Sequence, residues 1–317
     1  MKMTKSMANI LLLITSVFWG SGFVVTKIAL DANVSAGFIN FVRGFLFVVC
    51  VLLFFHKKIF KMTFKDFKVG LIAGMLNFGG FITQTIGVMY TTPSNNAFIS
   101  SAYVVIVPFI AWIIYGKKFQ VKGLVAIAAC LIGMVIITGI SNKEINMNIG
   151  DVYTLICAFF YAGSIVYLGY STSTTDFSVV AFMLAAVQAI GGFVFFLLVE
   201  KGQLSTVSWS VAIVPLLYMG IICSFVGQTV QVVAQKHTSA TSAGLIMMLE
   251  SVFGSIFSIA FGFEPFTVKL IVGGMIIMLS IILMEVEFKP LLVKKKETAK
   301  YKGETLNNSS ENVDFAE

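Results

Sequence analysis

The sequence is short of charge and of the side chains that most enzyme mechanisms use. Charged residues make up only 12% of its 317 residues, hydrophobic ones make up 58%, and the mean hydropathy is +0.94. A soluble domain has about 25% charged residues, so water is not the solvent for most of this chain. The two histidines, His56 and His237, are far apart in sequence and form no HExxH or Cys/His ligand pattern, and no Walker A motif is present. We therefore predict no enzyme activity, no cofactor and no metal.

Cysteine is also scarce. The four cysteines, Cys50, Cys130, Cys157 and Cys223, all fall inside long apolar runs, and none forms a CxxC pair. They are interpreted as small buried apolar residues rather than as disulfides or metal ligands.

Long apolar runs are what the sequence has in abundance. Bilayer hydrocarbon leaves backbone N–H and C=O groups without partners, so a spanning segment is a helix of about 20 apolar residues or a strand of a closed barrel. The runs are of helical length and lack the alternation of barrel strands. The sequence therefore predicts an all-α membrane protein with ten transmembrane helices, over residues 8–30, 36–55, 69–90, 97–115, 123–140, 152–170, 179–199, 211–234, 242–263 and 268–284.

The lysines predict the orientation of the chain. With a cytoplasmic N-terminus, seventeen lysines lie in cytoplasmic segments, whereas only Lys143, Lys201 and Lys269 lie outside. Lysine and arginine are retained on the cytoplasmic side, so we expect both termini in the cytoplasm.

The composition also indicates a location. A single arginine among many Phe, Ile and Asn residues is typical of an AT-rich bacterial genome, and a helical membrane protein of a bacterium is expected in the inner membrane. The basic loops lack interleaved aromatic residues, so membrane lipid is an expected partner and nucleic acid is not. The polar tail, residues 286–317, is predicted to be disordered.

The chain repeats itself at an offset of about 146 residues. Thr92 matches Thr238, Ala97 matches Ala243, and a two-residue adjustment places Gln84 against Gln228. The repeat divides the protein into two five-helix units, residues 8–140 and 150–285. Because each unit has an odd number of spans, the second enters the membrane from the opposite side. Inverted repeats place a substrate site near the midplane, although a purely structural repeat stays open as an alternative.

Four segments carry a family resemblance: WGSGFVVTKIAL (19–30), FVRGFLF (41–47), QTIGVMYTTPSNNAFISS (84–101) and QKHTSATSAGLIMMLESVFGSIFSIAFGFEPFT (235–267). Together they identify the chain as similar to the EamA-type family of the drug/metabolite transporter superfamily. The family pattern Leu-Glu-Pro in span nine is here Leu249, Glu250 and Ser251, which puts a kink there in doubt but not the glutamate. The resemblance implies a ten-helix carrier with a central cavity, often an exporter of amino acids or related metabolites.

Lys27, Arg43 and Glu250 are the ionisable residues that we place at membrane depth, where a charge costs about 2.5 to 3.5 kcal/mol. Lys27 is near a span end, and its side chain can reach the interface. Arg43 lies on a small, polar face with Asn40; it is interpreted as an anion site in a cavity or as a link between helices through backbone carbonyls. Glu250 has no cation in its own span, and burial favours its neutral form. We therefore predict that Glu250 couples transport to protons, with pairing to Arg43 as the alternative.

Uncharged polar residues also turn inward in membrane helices where they find partners. Asn77 and Gln84 share a face of span three, Ser224, Gln228 and Gln231 share one in span eight, and Pro108 is expected to interrupt span four after a polar face. Trp19 and Tyr161 correspond through the repeat, and they either line the cavity or pack between helices. The predicted cavity residues are Trp19, Asn40, Arg43, Asn77, Gln84, Asn96, Tyr103, Tyr161 and Gln228, with Glu250 as the coupling residue.

These observations predict a secondary transporter of small organic metabolites, an exporter working by alternating access. A flippase of a lipid or lipid-linked sugar, with a cavity that opens sideways, is the main alternative, followed by a membrane module that transports nothing. The identity of the small-molecule cargo, the direction, the coupling ion and the formation of a homodimer stay open.

Overall fold

The computed structural model describes residues 3–117, 121–138, 148–172 and 174–285, and these residues form helices and turns without any strand. The predicted disordered tail and most of the loop after span five lie outside these residues. The helices are α1 (Lys5–Asp31), α2 (Ala36–Ile59), α3 (Phe64–Tyr90), α4 (Pro93–Ser100), α5 (Tyr103–Tyr115), α6 (Val121–Thr138), α7 (Ile149–Tyr170), α8 (Phe177–Leu198), α9 (Trp209–Tyr218), a π-helical segment (Met219–Gln228), α10 (Thr229–Gln235), α11 (Ala240–Met247), α12 (Leu249–Ala260) and α13 (Val268–Glu285).

Each of the ten apolar runs coincides with one helical segment, and every predicted end lies within five residues of an observed one. Within the described ranges, eight segments are long and apolar enough to cross a membrane. The fifth and tenth contain shorter apolar stretches, Val121–Gly133 and Ile271–Ser280. The all-helical, multi-pass architecture is therefore confirmed, whereas ten spans in two inverted repeats stay a prediction.

Two of the long segments are interrupted in the middle. Residues 101–102 separate α4 from α5, and Met248 separates α11 from α12. At the first interruption the hydroxyl groups of Ser100 and Ser101 both donate to the Ala97 carbonyl, and such bonds compete with the helical ladder. Pro108 has no backbone N–H and so removes one bond of the ladder, but α5 continues through it and the segment is interrupted earlier, at residues 101–102.

The segment 209–235 contains the π-helical turns, flanked by α9 and α10. Short π-helical insertions in α-helices occur often at functional sites. The carbonyl of Cys223, within this segment, accepts a hydrogen bond from the indole nitrogen of Trp19 at 2.9 Å. The π-helical segment is thereby joined to α1.

The closest packing of backbones is between α2 and α8. A Cβ atom on Gly44 would lie 2.2 Å from the backbone nitrogen of Ala189, and one on Gly192 would lie 2.4 Å from that of Phe41. Only glycine therefore fits at these two positions. The close approach brings Asn40 of α2 within hydrogen-bond distance of Gln188 of α8, directly behind the site described below.

Candidate functional site

A buried cavity lies among α1, α2, α3, α5, α7, the π-helical segment, α10, α11 and α12. In this conformation the volume open to the centres of water molecules is about 40 Å³. Seven of the ten predicted site residues line it, namely Trp19, Arg43, Asn77, Gln84, Tyr103, Tyr161 and Glu250.

The other three predicted residues, Asn40, Asn96 and Gln228, are buried behind the cavity wall. Gln228 donates to Gln188 at 3.3 Å, and Gln188 donates to Asn40 at 3.2 Å. Asn96 donates to Thr154 at 2.7 Å, in a separate contact between α4 and α7. These three amides connect helices and support the wall without forming its surface.

Arg43 forms the cationic end of the cavity. Its side chain is only 4% exposed. Its Nε donates to the hydroxyl of Ser224 at 3.1 Å, and its guanidinium carbon lies 4.3 Å from the ring centre of Phe81. A hydroxyl and an aromatic face hold the cation in place without neutralising it. Arg43 thus keeps its charge and orientation at a wall of the cavity.

Glu250 forms the acidic end. It belongs to the first turn of α12, directly after the interruption at Met248, and is 3% exposed. The phenol of Tyr103 lies beside the Glu250 carboxyl and interacts with it. The carboxyl therefore lies beside a neutral aromatic group, without an ion-pair partner in the described part of the chain.

Three aromatic rings connect the two ends. The ring centres of Phe81 and Tyr161 are 5.5 Å apart and nearly perpendicular, and those of Tyr161 and Tyr103 are 6.4 Å apart with the same edge-to-face geometry. Phe81 contacts Arg43, and Tyr103 interacts with Glu250. Arg43 and Glu250 thus line one cavity but form no ion pair with each other, so the guanidinium and the carboxyl are each available to a ligand.

Tyr161 is fixed by α3. Its hydroxyl donates to Gln84 at 2.9 Å, and its ring lies against Gly80, where a Cβ atom would be 2.4 Å from the ring. Trp19, its counterpart in the sequence repeat, lies against Gly227 and bonds to the π-helical segment. The structure thus brings Tyr161 to Gln84, whereas Trp19 meets a backbone carbonyl rather than Gln228.

Three buried oxygens on the cavity wall have no hydrogen-bond partner among the described residues: Asn77 Oδ1, Ser164 Oγ and Gln231 Oε1. Each belongs to a residue that is no more than 3% exposed. Buried polar atoms are nearly always hydrogen-bonded in proteins. These oxygens therefore identify the cavity as a place for molecules with hydrogen-bond donors.

The sequence interpretation missed Gln188, Phe81, Ser164 and Thr26. Gln188 is the one strongly polar residue in an otherwise apolar span. Polar residues in membrane helices turn inward, and this argument, which predicted Asn77, applied equally to Gln188. Phe81, Ser164 and Thr26 carried no comparable signal, because Phe, Ser and Thr recur throughout the chain. No three His, Cys, Asp or Glu side chains come together in the described ranges.

Comparison with known proteins places these features in a family. The sequence profile of the EamA-like transporter family matches residues 6–139 and again residues 148–286. An uncharacterized transporter of Archaeoglobus fulgidus is 31% identical over 280 residues, covering 87% of this chain and 85% of the relative. The uncharacterized transporter YvbV of Bacillus subtilis is 24% identical over 294 residues, covering 91% and 94%. A protein of known crystal structure shares the fold, with a TM-score of 0.69 at 13% identity, over 88% of this chain and 96% of its own.

Proposed function

Because the chain belongs to the EamA-like transporter family of the drug/metabolite transporter superfamily, we propose that it exports small organic metabolites, such as amino acids or related compounds, across the bacterial inner membrane. The observation that carries this proposal is the buried cavity with Arg43 and Glu250 on its wall. An uncompensated charge within a membrane protein is expensive and marks a substrate or ion pathway.

Alternating access is the proposed mechanism. The two matches to the family profile support two structural repeats, residues 8–140 and 150–285, with opposite orientation in the membrane. Interrupted helices at a midplane site are a feature of transporters built from inverted repeats. The interruptions at residues 101–102 and at Met248 adjoin Tyr103 and Glu250, two residues of the cavity wall. Rocking of one repeat against the other would expose this site to each side in turn.

A lipid flippase is the alternative. It would differ from a carrier of water-soluble metabolites in having a cavity that opens sideways to lipid. An apolar groove of about 510 Å³ does lie on the flank of α3, α5 and α7, bordered by Leu76, Ile110 and Phe159. It shares no lining residue with the polar cavity. This separation supports a water-soluble cargo over a lipid one.

The experiment is a metabolite profile of medium and cytoplasm from cells with and without the gene, with an Arg43→Gln and Glu250→Gln double variant as the inactive control. We expect at least one small polar metabolite to accumulate in the medium only with the wild-type protein. Equal profiles, together with accelerated movement of a fluorescent phospholipid in proteoliposomes, would favour the flippase instead.

A further inference from the structure

The apolar groove on the outside of the bundle ends beside a cation. This groove, on the flank of α3, α5 and α7, shares no lining residue with the polar cavity. Tyr115 and Tyr167 line it where α5 and α7 end, and Lys117 follows directly after α5. We propose that the groove binds one anionic phospholipid of the cytoplasmic leaflet, with an acyl chain along the groove and the phosphate at Lys117. This is a second site, and it does not depend on the proposed cargo.

The length of the groove suits an acyl chain. Along α7 the wall runs from Ile156 to Tyr167, and these eleven residues of α-helix span about 16 Å. The hydrocarbon core of a bilayer is about 30 Å thick, so this length is close to the depth of one leaflet. Gly163 keeps the middle of the groove open, because a Cβ atom there would already lie 3.3 Å from Leu76 Cδ2.

The turn after α5 positions Lys117. Gly116 has a φ of +62°, a left-handed conformation that favours glycine, and the Lys117 amide donates to the Ala111 carbonyl at 3.2 Å. Lys117 Nζ lies 5.3 Å from the ring centre of Tyr170, and that ring packs against Tyr115 with the two centres 4.8 Å apart. No carboxylate among the described residues pairs with this lysine. The aromatic face orients the ammonium group without neutralising it.

The polarity of this end suits an anionic head group. Under the proposed orientation α5 and α7 both end on the cytoplasmic side, where basic pockets between transmembrane helices bind anionic lipids. Lys118 and Lys122 follow Lys117 in the sequence. Tyr115 and Tyr167 stand at the level where tyrosine is enriched, at the boundary of membrane and water. A zwitterionic phospholipid would make the same apolar contacts, but its own ammonium group would be repelled by the lysines.

The test is native mass spectrometry of the full-length protein in detergent, titrated with phosphatidylglycerol and with phosphatidylcholine of the same acyl chains. We expect one phosphatidylglycerol to bind at least about fivefold more tightly than phosphatidylcholine, the factor that corresponds to one lysine near a lipid surface. Lys117→Gln should remove this preference. Lys57→Gln, which removes an exposed lysine at the end of α2 on the same side, should keep it.

A second pair of variants tests the groove itself. Ile113 and Ile114 are neighbours in α5, 73% and 64% exposed, and of the two Ile114 lines the groove. Ile114→Trp places an indole ring in the groove and should weaken both lipids by at least about tenfold, since the loss of two buried CH₂ groups accounts for that factor. Ile113→Trp should bind both lipids like the wild type. The two lysine variants decide the inference even if Ile114→Trp lowers the unfolding temperature.

Three results would overturn the inference: equal binding of the two lipids to the wild type, a preference that survives Lys117→Gln, or equal lipid binding by Ile114→Trp and Ile113→Trp. A dimer that Ile114→Trp separates would also overturn it, because the groove would then be an interface between copies of this chain. None of these results bears on the proposed export, which the metabolite profile tests separately.

Discussion

At the scale of single residues, the chemistry of this protein is concentrated in Arg43 and Glu250. Each is nearly inaccessible to solvent, and each is expensive to place at membrane depth. The structure gives Arg43 a hydroxyl and an aromatic partner, whereas Glu250 has a phenol beside it. Glu250 is therefore the residue of the pair that depends most on a proton, a ligand or water for compensation.

We predict that Glu250→Gln removes the pH dependence of transport while the protein still folds. The amide resembles a protonated carboxyl in size, so it keeps the packing of α12 but cannot release a proton. The other charged or titratable groups near the site are Arg43, Tyr103, Tyr161, Cys157 and Cys223, and none replaces a carboxylate. Uptake into inverted vesicles between pH 5.5 and 8.5 measures the effect, with Asp31→Asn, a neutralised acid exposed outside the cavity, as the control.

A different result is expected if Glu250 serves only to neutralise Arg43. Glu250→Gln would then destabilise the protein by about 3 to 5 kcal/mol, and the double change with Arg43→Gln would restore stability. The absence of an ion pair between these two residues favours the proton role. A Glu250→Gln protein with the rate, pH profile and stability of the wild type would exclude both roles.

The sequence was sufficient to find Arg43 and Glu250, because a charge within an apolar run is itself a signal. It could not identify their partners. Ser224 reaches Arg43 only because α2 packs against the π-helical segment, and no pattern along the chain encodes that contact. We predicted Asn40 and Gln228 on the cavity wall, but they lie one layer behind it. The polar residues of the wall and those behind it have the same pattern in the sequence, so the sequence could not separate them.

At the scale of helices, the apolar runs located every segment because a membrane helix must satisfy its own backbone. The interruptions and the π-helical turns were not predictable in the same way. They depend on side chains that compete with backbone N–H groups for the same carbonyl oxygen. An example is the pair of serine hydroxyl groups that donate to the Ala97 carbonyl. Length and hydropathy do not report such competition.

The contact of α2 with α8 gives a prediction at this scale. Gly44→Ala should destabilise the protein by about 1 to 3 kcal/mol, the usual range for overpacking, because its new methyl group would overlap the backbone of Ala189. Gly274→Ala is the control, since the nearest atom to its new methyl group is a Val252 methyl at an ordinary 3.4 Å. Thermal unfolding in detergent compares the two, and equal transition temperatures would contradict close packing at Gly44.

At the scale of the whole molecule, the proposed orientation can be tested directly. The asymmetry of lysines predicts that the ends of segments after residues 55, 115 and 284 are cytoplasmic and that those after residues 90, 140 and 199 are outside. Alkaline phosphatase fusions should be active only at the second set, and green fluorescent protein fusions should fluoresce only at the first. A C-terminal tail found outside would be incompatible with ten spans.

The two ends of the helix bundle are closed by different contacts. At the end where α2 finishes, Lys58 pairs with Asp176 at 3.0 Å, and Lys236 donates to the carbonyl of Thr175. At the opposite end, Ser94 and Ser258 both donate to Glu264, which joins α4 to α12. Under the proposed orientation the first set lies on the cytoplasmic side, and we expect that weakening it favours opening on that side.

We therefore predict that Asp176→Asn makes the cavity more accessible from the cytoplasmic side. The measurement is the rate at which an impermeant thiol reagent labels Ser164→Cys in inverted vesicles, with the four native cysteines replaced. The rate should rise by up to about fivefold, because an exposed ion pair contributes about 0.2 to 1 kcal/mol. Asp31→Asn, which breaks the Lys27 pair outside this set of contacts, should leave the rate unchanged.

The pH dependence of this contact follows from the pKa of Asp176. Partial burial alone would raise the pKa, but hydrogen bonds from Ser178 and the ammonium group of Lys58 outweigh burial and hold the pKa below its usual value. A carboxyl with a lowered pKa stabilises the contact at any pH above its usual pKa, and this contribution is lost as the pH falls through the lowered pKa.

The usual pKa of an aspartate is about 3.9, so Asp176 should stay ionised between pH 8 and 5. In that range the titration of Asp176 should not change the rate at which Ser164→Cys is labelled. A rise within that range that Asp176→Asn abolishes would show that Asp176 titrates there, and the stabilising role of Lys58 would then be wrong.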